Sequence, residues 1–338
     1  MHSKIALIIS LKPLKPVKSG MQNTIFLLKE YLEKKGMKCM FIHVNTTNKI
    51  DPIIDLKYKK KISQLIEKQI FKLNPNFIFI NTTKLLYTYR NIFFIKNKKF
   101  LTILVSHDLY CFRKKYIKKV RIKDNTPMSI SSEIDIIKKS DYIIDISHEE
   151  KNYLLNKKIN NKKLLFTKTP IKINKLLKSD YSYDFVFIGS NWFQNIMSLN
   201  YLYKKIISKF PDKKFLVMGM NKNLSYKKNV TFKNYNINNL SKCKYGLAFL
   251  QYGSGRKVKI FEMLAHGIPV VTNINLKMFG LKNNQHYIYT KNIKDCYNNI
   301  NCTLNDDNLR NQISKNSYSW SLRNSNYLKA FKPLDVIF

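Results

Sequence analysis

Acidic side chains are scarce in this sequence. The 338 residues carry 21 Asp and Glu against 61 Lys and Arg, a formal charge of +40. Such a field draws polyanions: nucleic acid, anionic lipid, or phosphorylated donors and acceptors. The surplus has two readings. One is a surface for an anionic partner. The other is a bias spread over the whole chain, which is also crowded with Asn, Ile and Tyr. Cysteine is sparse as well. Cys39, Cys111, Cys243, Cys296 and Cys302 are odd in number, and no pair has metal-ligand or redox spacing. This excludes a zinc site and a disulfide framework, and free thiols in a reducing compartment are expected. No stretch approaches the ~20 apolar residues of a spanning helix. The apolar run from Met1 to Ser10 is too short for a signal peptide, so none is expected. A cytoplasmic chain follows, at most peripheral at the inner face of a membrane. Disorder is excluded by 21 Phe and 21 Tyr, which a folded core must bury.

What the chain does have is alternation. Ile5–Ser10 is a short, continuous apolar run, as suits a strand covered on both faces. A loop with Pro13, Pro16, Ser19 and Gly20 follows. Met21, Ile25, Leu28 and Leu32 then fall on one face of a helix that Gly36 can end. Cys39–Val44 reads as the next strand, residues 60–73 as a helix, and Phe77–Ile80 and Leu101–Val105 as buried strands. Ser131–Lys139 reads as a helix with Ser131 or Ser132 as N-cap. Tyr142–Ile146 is a strand, and a short helix starts at Glu149.

The pattern breaks between Thr169 and Tyr183 and then restarts. Strands are expected at 185–188, 215–218, 230–232, 246–250 and 269–272. Helices are expected at 196–207 and 257–266, near Lys294, and over 307–314. Strands alternating with helices imply a parallel, doubly wound α/β sheet, here twice. The expected division is 1–170, a linker at 171–183, a second domain at 184–319, and a tail at 320–338 that returns to the first domain. Ligands of such sheets bind at the carboxyl ends of the strands, so two facing domains leave a cleft there.

The most informative stretch is Tyr252–Thr272, YGSGRKVKIFEMLAHGIPVVT. Gly253 and Gly255 permit a tight turn with close backbone approach. A helix opens directly afterwards, which is an anion site. Arg256, Lys257 and Lys259 add positive charge. Glu262 lies one helical turn beyond Lys259 on the same face, and its carboxylate can accept both hydroxyls of a ribose.

This segment resembles the donor-binding signature of GT-B glycosyltransferases of the group 1, or family 4, class, GSGxxxKxxEALAxGxPVVxT followed by a Gly-Leu pair. Here Gly280 and Leu281 supply that pair. Other segments fall in the family's order: FIGS at 187–190 with Asn195, FLVMG at 215–219, EIDIIKKSDYIIDIS at 133–147, and SHDLYCFR at 106–113. Ser19–Gly20 stands where the family has a Gly-Gly loop. Two departures stand out. Ser254 occupies the position of a donor-sugar carboxylate in many members, and the first loop has one glycine instead of two.

The resemblance implies a GT-B fold, two Rossmann-like domains facing a cleft, and a hexosyltransferase using a nucleotide-sugar donor. It implies that Glu262 binds the donor ribose. The amides around Gly253, Ser254 and Gly255, with Arg256 and Lys259, would hold the diphosphate. Asn191 and Asn195 would contribute at the donor strand's end, and Gly20 would let the first loop approach the phosphates. His107, in the cleft beside the transferring sugar, would orient that sugar; His107 and Lys259 are the catalytic candidates. The Glu149–Glu150 pair reads as catalytic carboxylates or, more strongly, as an acidic helix start. No DxD pair sits at a strand end, so transfer without metal or cofactor is expected, and the resemblance implies retention of anomeric configuration.

The acceptor side is less defined. Arg113, Lys114, Lys115, Lys118 and Lys119 form a basic run with the aromatics Phe112 and Tyr116 at its start and within it. That composition suits an anionic membrane surface, nucleic-acid phosphates, or a solvated face. The leading expectation is transfer to a glycan or lipid-linked acceptor in surface-polysaccharide synthesis. The alternatives are sugar transfer to DNA bases and a non-catalytic nucleic-acid-binding protein on the same scaffold.

Overall fold

The computed structural model describes residues 3–15, 17, 19–44, 56–112, 114, 128–145, 147–173, 180–221, 228–250 and 257–338. Gly253, Ser254, Gly255 and Arg256 lie outside the described residues, as do Arg113, Lys115, Lys118 and Lys119.

The first sheet comprises β1 (Ile5–Ser10), β2 (Lys38–His43), β3 (Phe77–Asn81), β4 (Leu101–Val105), β5 (Tyr142–Asp145) and β6 (Leu164–Phe166), in spatial order β2-β1-β3-β4-β5-β6. Every pairing is parallel. The second comprises β7 (Tyr183–Ile188), β8 (Phe215–Met218), β9 (Val230–Lys233), β10 (Cys243–Ala248), β11 (Val270–Thr272) and β12 (Ile288–Tyr289), ordered β12-β11-β10-β7-β8-β9 and again parallel. Neighbours that share a sheet in parallel need crossovers, and helices provide them. These are α1 (Gly20–Lys34), α2 (Leu56–Leu73), α3 (Thr83–Thr88), α4 (Arg90–Phe93), α5 (Ile130–Lys139) and α6 (His148–Asn156) around the first sheet. Around the second are α7 (Phe193–Lys205), α8 (Val258–Ala265), α9 (Ile293–Leu304) and α10 (Asp307–Asn324), after which α11 (Tyr327–Ala330) returns to the first sheet.

Continuous apolar strands follow from burial on both faces. In β1, Leu7 and Ile9 join one core with Ile78, Ile80 and Leu104. Ala6 and Ile8 join the opposite core with Phe77, Phe79 and Ile103. The second sheet divides in the same way, Val186 and Leu216 on one side and Phe185, Phe187 and Phe215 on the other.

Helix ends obey local chemistry. Ser19 caps α1 by accepting the Gln22 N–H, and Gly36 follows the helix at φ +80°, a conformation glycine adopts without strain. The N-cap of α5 is Ser129 rather than Ser131 or Ser132. The Ser129 hydroxyl accepts the Ser132 N–H at 3.0 Å, which places both other serines inside the first turn. Strands β6 and β12 escape sequence patterning because they are three and two residues long. Helix α10 runs ten residues past the expected end at 314. Its second half is rich in Ser and Asn, poor helix formers, but Trp320 anchors it by stacking on Phe261 at 5.9 Å.

The carboxyl-terminal segment packs on the first sheet. Tyr327, Phe331, Leu334 and Ile337 share the core of Leu28, Phe77 and Phe79. Asp335 accepts the Tyr31 hydroxyl and pairs with Lys35 at 2.8 Å. The chain thus passes between the halves twice. Both passages are tied together, because Ile171 N–H donates to Ser325 O at 2.7 Å and Tyr327 N–H donates to Ile171 O at 3.1 Å.

Candidate functional site

Where the carboxyl ends of the two sheets face each other lies a cavity of about 260 Å3. The loop after β1, the start of α1, the loop after β4, the ends of β7 and β8, and α8 all reach it.

Helix α8 brings Lys259 and Glu262 to this cavity together. The spacing of three residues puts them on one face. Glu262 is only 5% exposed. It accepts an N–H from Asn23 Nδ2 at 3.4 Å, across the gap between the halves, and a hydrogen bond from the Tyr235 hydroxyl. Burial pushes its pKa up to about 7, against the opposing pull of Tyr235, Lys259 and Asn23. The Tyr235 hydroxyl is pushed up too, first by burial and then by the adjacent carboxylate.

Lys259 is held by the second sheet's first strand and helix. Its ammonium donates to Asn195 Oδ1 at 2.7 Å and lies 5.2 Å from the centre of the Phe187 ring. The Asn195 amide is oriented in turn by Ser190, whose carbonyl and hydroxyl both accept from Nδ2 at 3.2 Å. Burial, and after it the neighbouring Lys257, lowers the Lys259 pKa to about 8, with Glu262 counteracting both. Lys257 itself is lowered by burial, against the charges of Glu149, Glu150 and Asp108. A half-buried cation and a buried carboxylate thus share one cavity beside the amino-terminal end of α8. Such an arrangement can take an anion at one end and hydroxyl groups at the other.

Gly20, the first residue of α1, lines the same cavity and touches α8. A Cβ built on it would lie 3.0 Å from Val258 Cβ and 3.1 and 3.2 Å from the two Cγ atoms. Its absence of a side chain lets α1 approach α8. Asn191 is not brought to the cavity. Its Oδ1 accepts the Asn221 N–H at 2.9 Å and ties the loop after β7 to the loop after β8.

The first sheet contributes His107 and Asp108. The His107 Nε2 is hydrogen-bonded to Asn81 Oδ1, and Asn81 Nδ2 donates to Ser10 Oγ at 2.7 Å. Asn81 is fully buried. It links the ends of three adjacent strands, β1, β3 and β4. The next residue, Thr82, has φ +93°, a strained conformation for a β-branched residue. Its N–H donates to Val105 O at 3.0 Å, which holds the turn against β4.

Two buried carboxylates brace the segment just after His107. Glu150 accepts the Leu109 N–H at 2.8 Å and the Ser147 hydroxyl at 2.8 Å, while Ser147 caps α6. Glu133 accepts the N–H groups of Tyr110 and Cys111 at 2.6 and 3.0 Å. Glu150 therefore does more than favour the helix dipole: it ties the start of α6 to the loop carrying His107. Of the basic run, Lys114 lies within the described residues, with its ammonium 5.7 Å from the centre of the Tyr110 ring.

Asn23, Asn81 and Tyr235 belong to no motif. Asn81 still left a signal, since it is the first polar residue at the carboxyl end of an apolar parallel strand, where ligands of such sheets bind. Among the described residues, no group of three or more His, Cys, Asp and Glu could hold a metal ion.

No protein-family model and no curated protein matches the sequence. Solved structures do. Anabaena HepE, in complex with UDP and glucose, superposes with a TM-score of 0.71 at 13% identity, over 99% of each chain. Sucrose-phosphate synthase from Thermosynechococcus elongatus gives 0.71 at 13% identity, over 98% of this chain and 97% of that one. TarM, a Staphylococcus aureus protein, gives 0.63 at 17% identity; 81% of this chain matches, spanning 58% of TarM. These likenesses establish the architecture.

Proposed function

We propose that this chain, which has the GT-B fold, is a glycosyltransferase that moves a hexose from a nucleotide-sugar to a glycan or lipid-linked acceptor. The observation that carries the reading is the pairing of Lys259 and Glu262 on one face of α8 in the cleft between the sheets. The solved complexes of HepE with UDP-glucose support a uridine nucleotide as donor. A TarM complex containing a GlcNAc-glycerol supports a glycan acceptor.

The proposed chemistry follows from charge. The acceptor oxygen forms a bond to the anomeric carbon while the bond from that carbon to the diphosphate oxygen breaks. The acceptor proton passes to the departing diphosphate. Negative charge grows on the leaving group, and the Lys259 ammonium together with the free N–H groups at the start of α8 meets it. Glu262 holds the ribose hydroxyls. His107, fixed by Asn81, orients the transferring sugar. With the cation supplied by lysine, we propose transfer without a metal and with retention of configuration, at a membrane-facing site in surface-glycan assembly.

The test is a panel of UDP-, GDP-, ADP- and CMP-sugars read by thermal shift and by donor hydrolysis. One nucleotide is expected to stabilise the wild type and to lose its effect in Glu262→Ala. Failure of every nucleotide to shift the wild type would overturn the reading. The remaining alternative, sugar transfer to nucleic acid, draws on the +40 charge; it would gain from a duplex that competes with glycan acceptors.

A further inference from the structure

Helix α2 carries a face that the donor site does not use. Lys57, Lys61, Gln64, Leu65, Lys68, Phe71 and Lys72 fall at i, i+4, i+7, i+8, i+11, i+14 and i+15, a single stripe. The opposite face is anchored: Ile62 and Ile66 are buried in the first sheet's core, with Tyr58, Ile70 and Leu73 packed against it. The stripe itself faces solvent. Phe71 is 92% exposed and Leu65 is 40% exposed. The stripe carries four lysines, and the one acid of the helix, Glu67 against six lysines, borders it one turn before Phe71.

An aromatic ring that far from any core has no folding role, because it buries no area. Set between lysines, it matches a surface that is anionic at its face and apolar just beneath. We propose that the outer face of α2 docks this protein on an anionic lipid membrane. The lysines sit among headgroup phosphates, and Phe71 with Leu65 enters the acyl boundary. Lysine is a compact point charge and suits headgroups that present no fixed geometry. A nucleic acid fits less well. A duplex offers no apolar layer for Phe71, and a single-strand platform stacks successive bases on several rings, where this face has one.

The topology gives the docking a use. Helix α2 precedes the amino end of β3, and Phe71 and Lys72 lie in its last turn. Docking along α2 would hold the first domain at the lipid surface, the layer in which a lipid-linked acceptor lies. The proposal deepens the acceptor side of the function above but does not depend on the donor site.

The experiment is flotation of the full chain with vesicles of phosphatidylglycerol and phosphatidylcholine, against phosphatidylcholine alone, with no nucleotide present. The wild type is expected to float with the anionic vesicles only. Phe71→Ser, which leaves the charge unchanged, is expected to lower the partition about tenfold, and Phe71→Trp to restore it. Replacing Lys61, Lys68 and Lys72 by Gln is expected to lower it about fivefold per lysine. The matching change at the end of α7 and in the turn after it, Lys204, Lys205 and Lys209 to Gln, is expected to leave it within about twofold. Equal losses from the α2 and α7 triples would overturn the proposal, as would a Phe71→Ser protein that floats like the wild type. So would duplex binding without flotation. The nucleotide-induced thermal shift of each variant, measured separately, keeps a failure here distinct from a failure of the donor site.

Discussion

Replacing Glu262 by Gln should make the unliganded protein more stable while removing its capacity to bind donor. The carboxylate is almost fully buried, and its folded-state pKa is raised from 4.5 to about 7 with burial as the largest cause. A raised carboxylate pKa means that the fold holds the neutral form better than the charged one. The penalty is therefore absent below the unfolded value, grows between about 4.5 and 7, and is fully present above 7. At about 1.4 kcal/mol per pKa unit it reaches roughly 3 kcal/mol near pH 8. Gln keeps the shape and an acceptor for Asn23 and Tyr235 but never charges. Differential scanning calorimetry at about pH 8 should then show Glu262→Gln melting several degrees above the wild type. The gap should shrink to under about 1 kcal/mol near pH 5. Addition of donor should raise the wild-type melting temperature and leave the variant unmoved, since a ribose diol bonded to a carboxylate is worth about 1.5–3 kcal/mol per hydrogen bond. A Glu262→Gln protein less stable than the wild type at pH 8 would refute the reasoning, because it would show that the ionised carboxylate supports the fold.

Donor affinity should peak between about pH 7, where Glu262 becomes charged, and about pH 8, above which Lys259 loses its proton; isothermal titration across that range would expose a monotonic dependence as contrary. Gly20→Ala should force a few tenths of an ångström between α1 and α8, because the new methyl meets Val258 at 3.0–3.2 Å; a weaker donor affinity at nearly unchanged melting temperature is expected, and Val258→Ala should restore it. Asn81→Ala should lower kcat more than it raises KM, as His107 loses the group that orients it, and should cost about 1–3 kcal/mol of stability for the unpaired partner.

Most of the fold is legible in the sequence wherever a strand is buried on both faces. Runs such as IALIIS, FIFI and FLVM announce themselves, and the observed strands β1, β3 and β8 coincide with them to within a residue. Strands β6 and β12 are too short to carry a period, and the second half of α10 is held by Trp320 against local propensity. At the site, the spacing of Lys259 and Glu262 on one helix face is local, so sequence suffices. The partners that tune them are not local. Asn23 reaches Glu262 from 239 positions away, and Asn81 meets His107 from a neighbouring strand. Only the register of the sheets and the approach of the halves bring those pairs together. Asn191 shows the converse, a residue well placed in sequence whose side chain serves a loop instead.

The central claim is that Lys259 and Glu262 form one donor site. A crystal structure of the protein with UDP tests it most directly. Diphosphate oxygens are expected within about 3 Å of the Lys259 ammonium, with the ribose hydroxyls on the Glu262 carboxylate. UDP bound elsewhere, or bound in the cleft with its ribose turned away from Glu262, would contradict it.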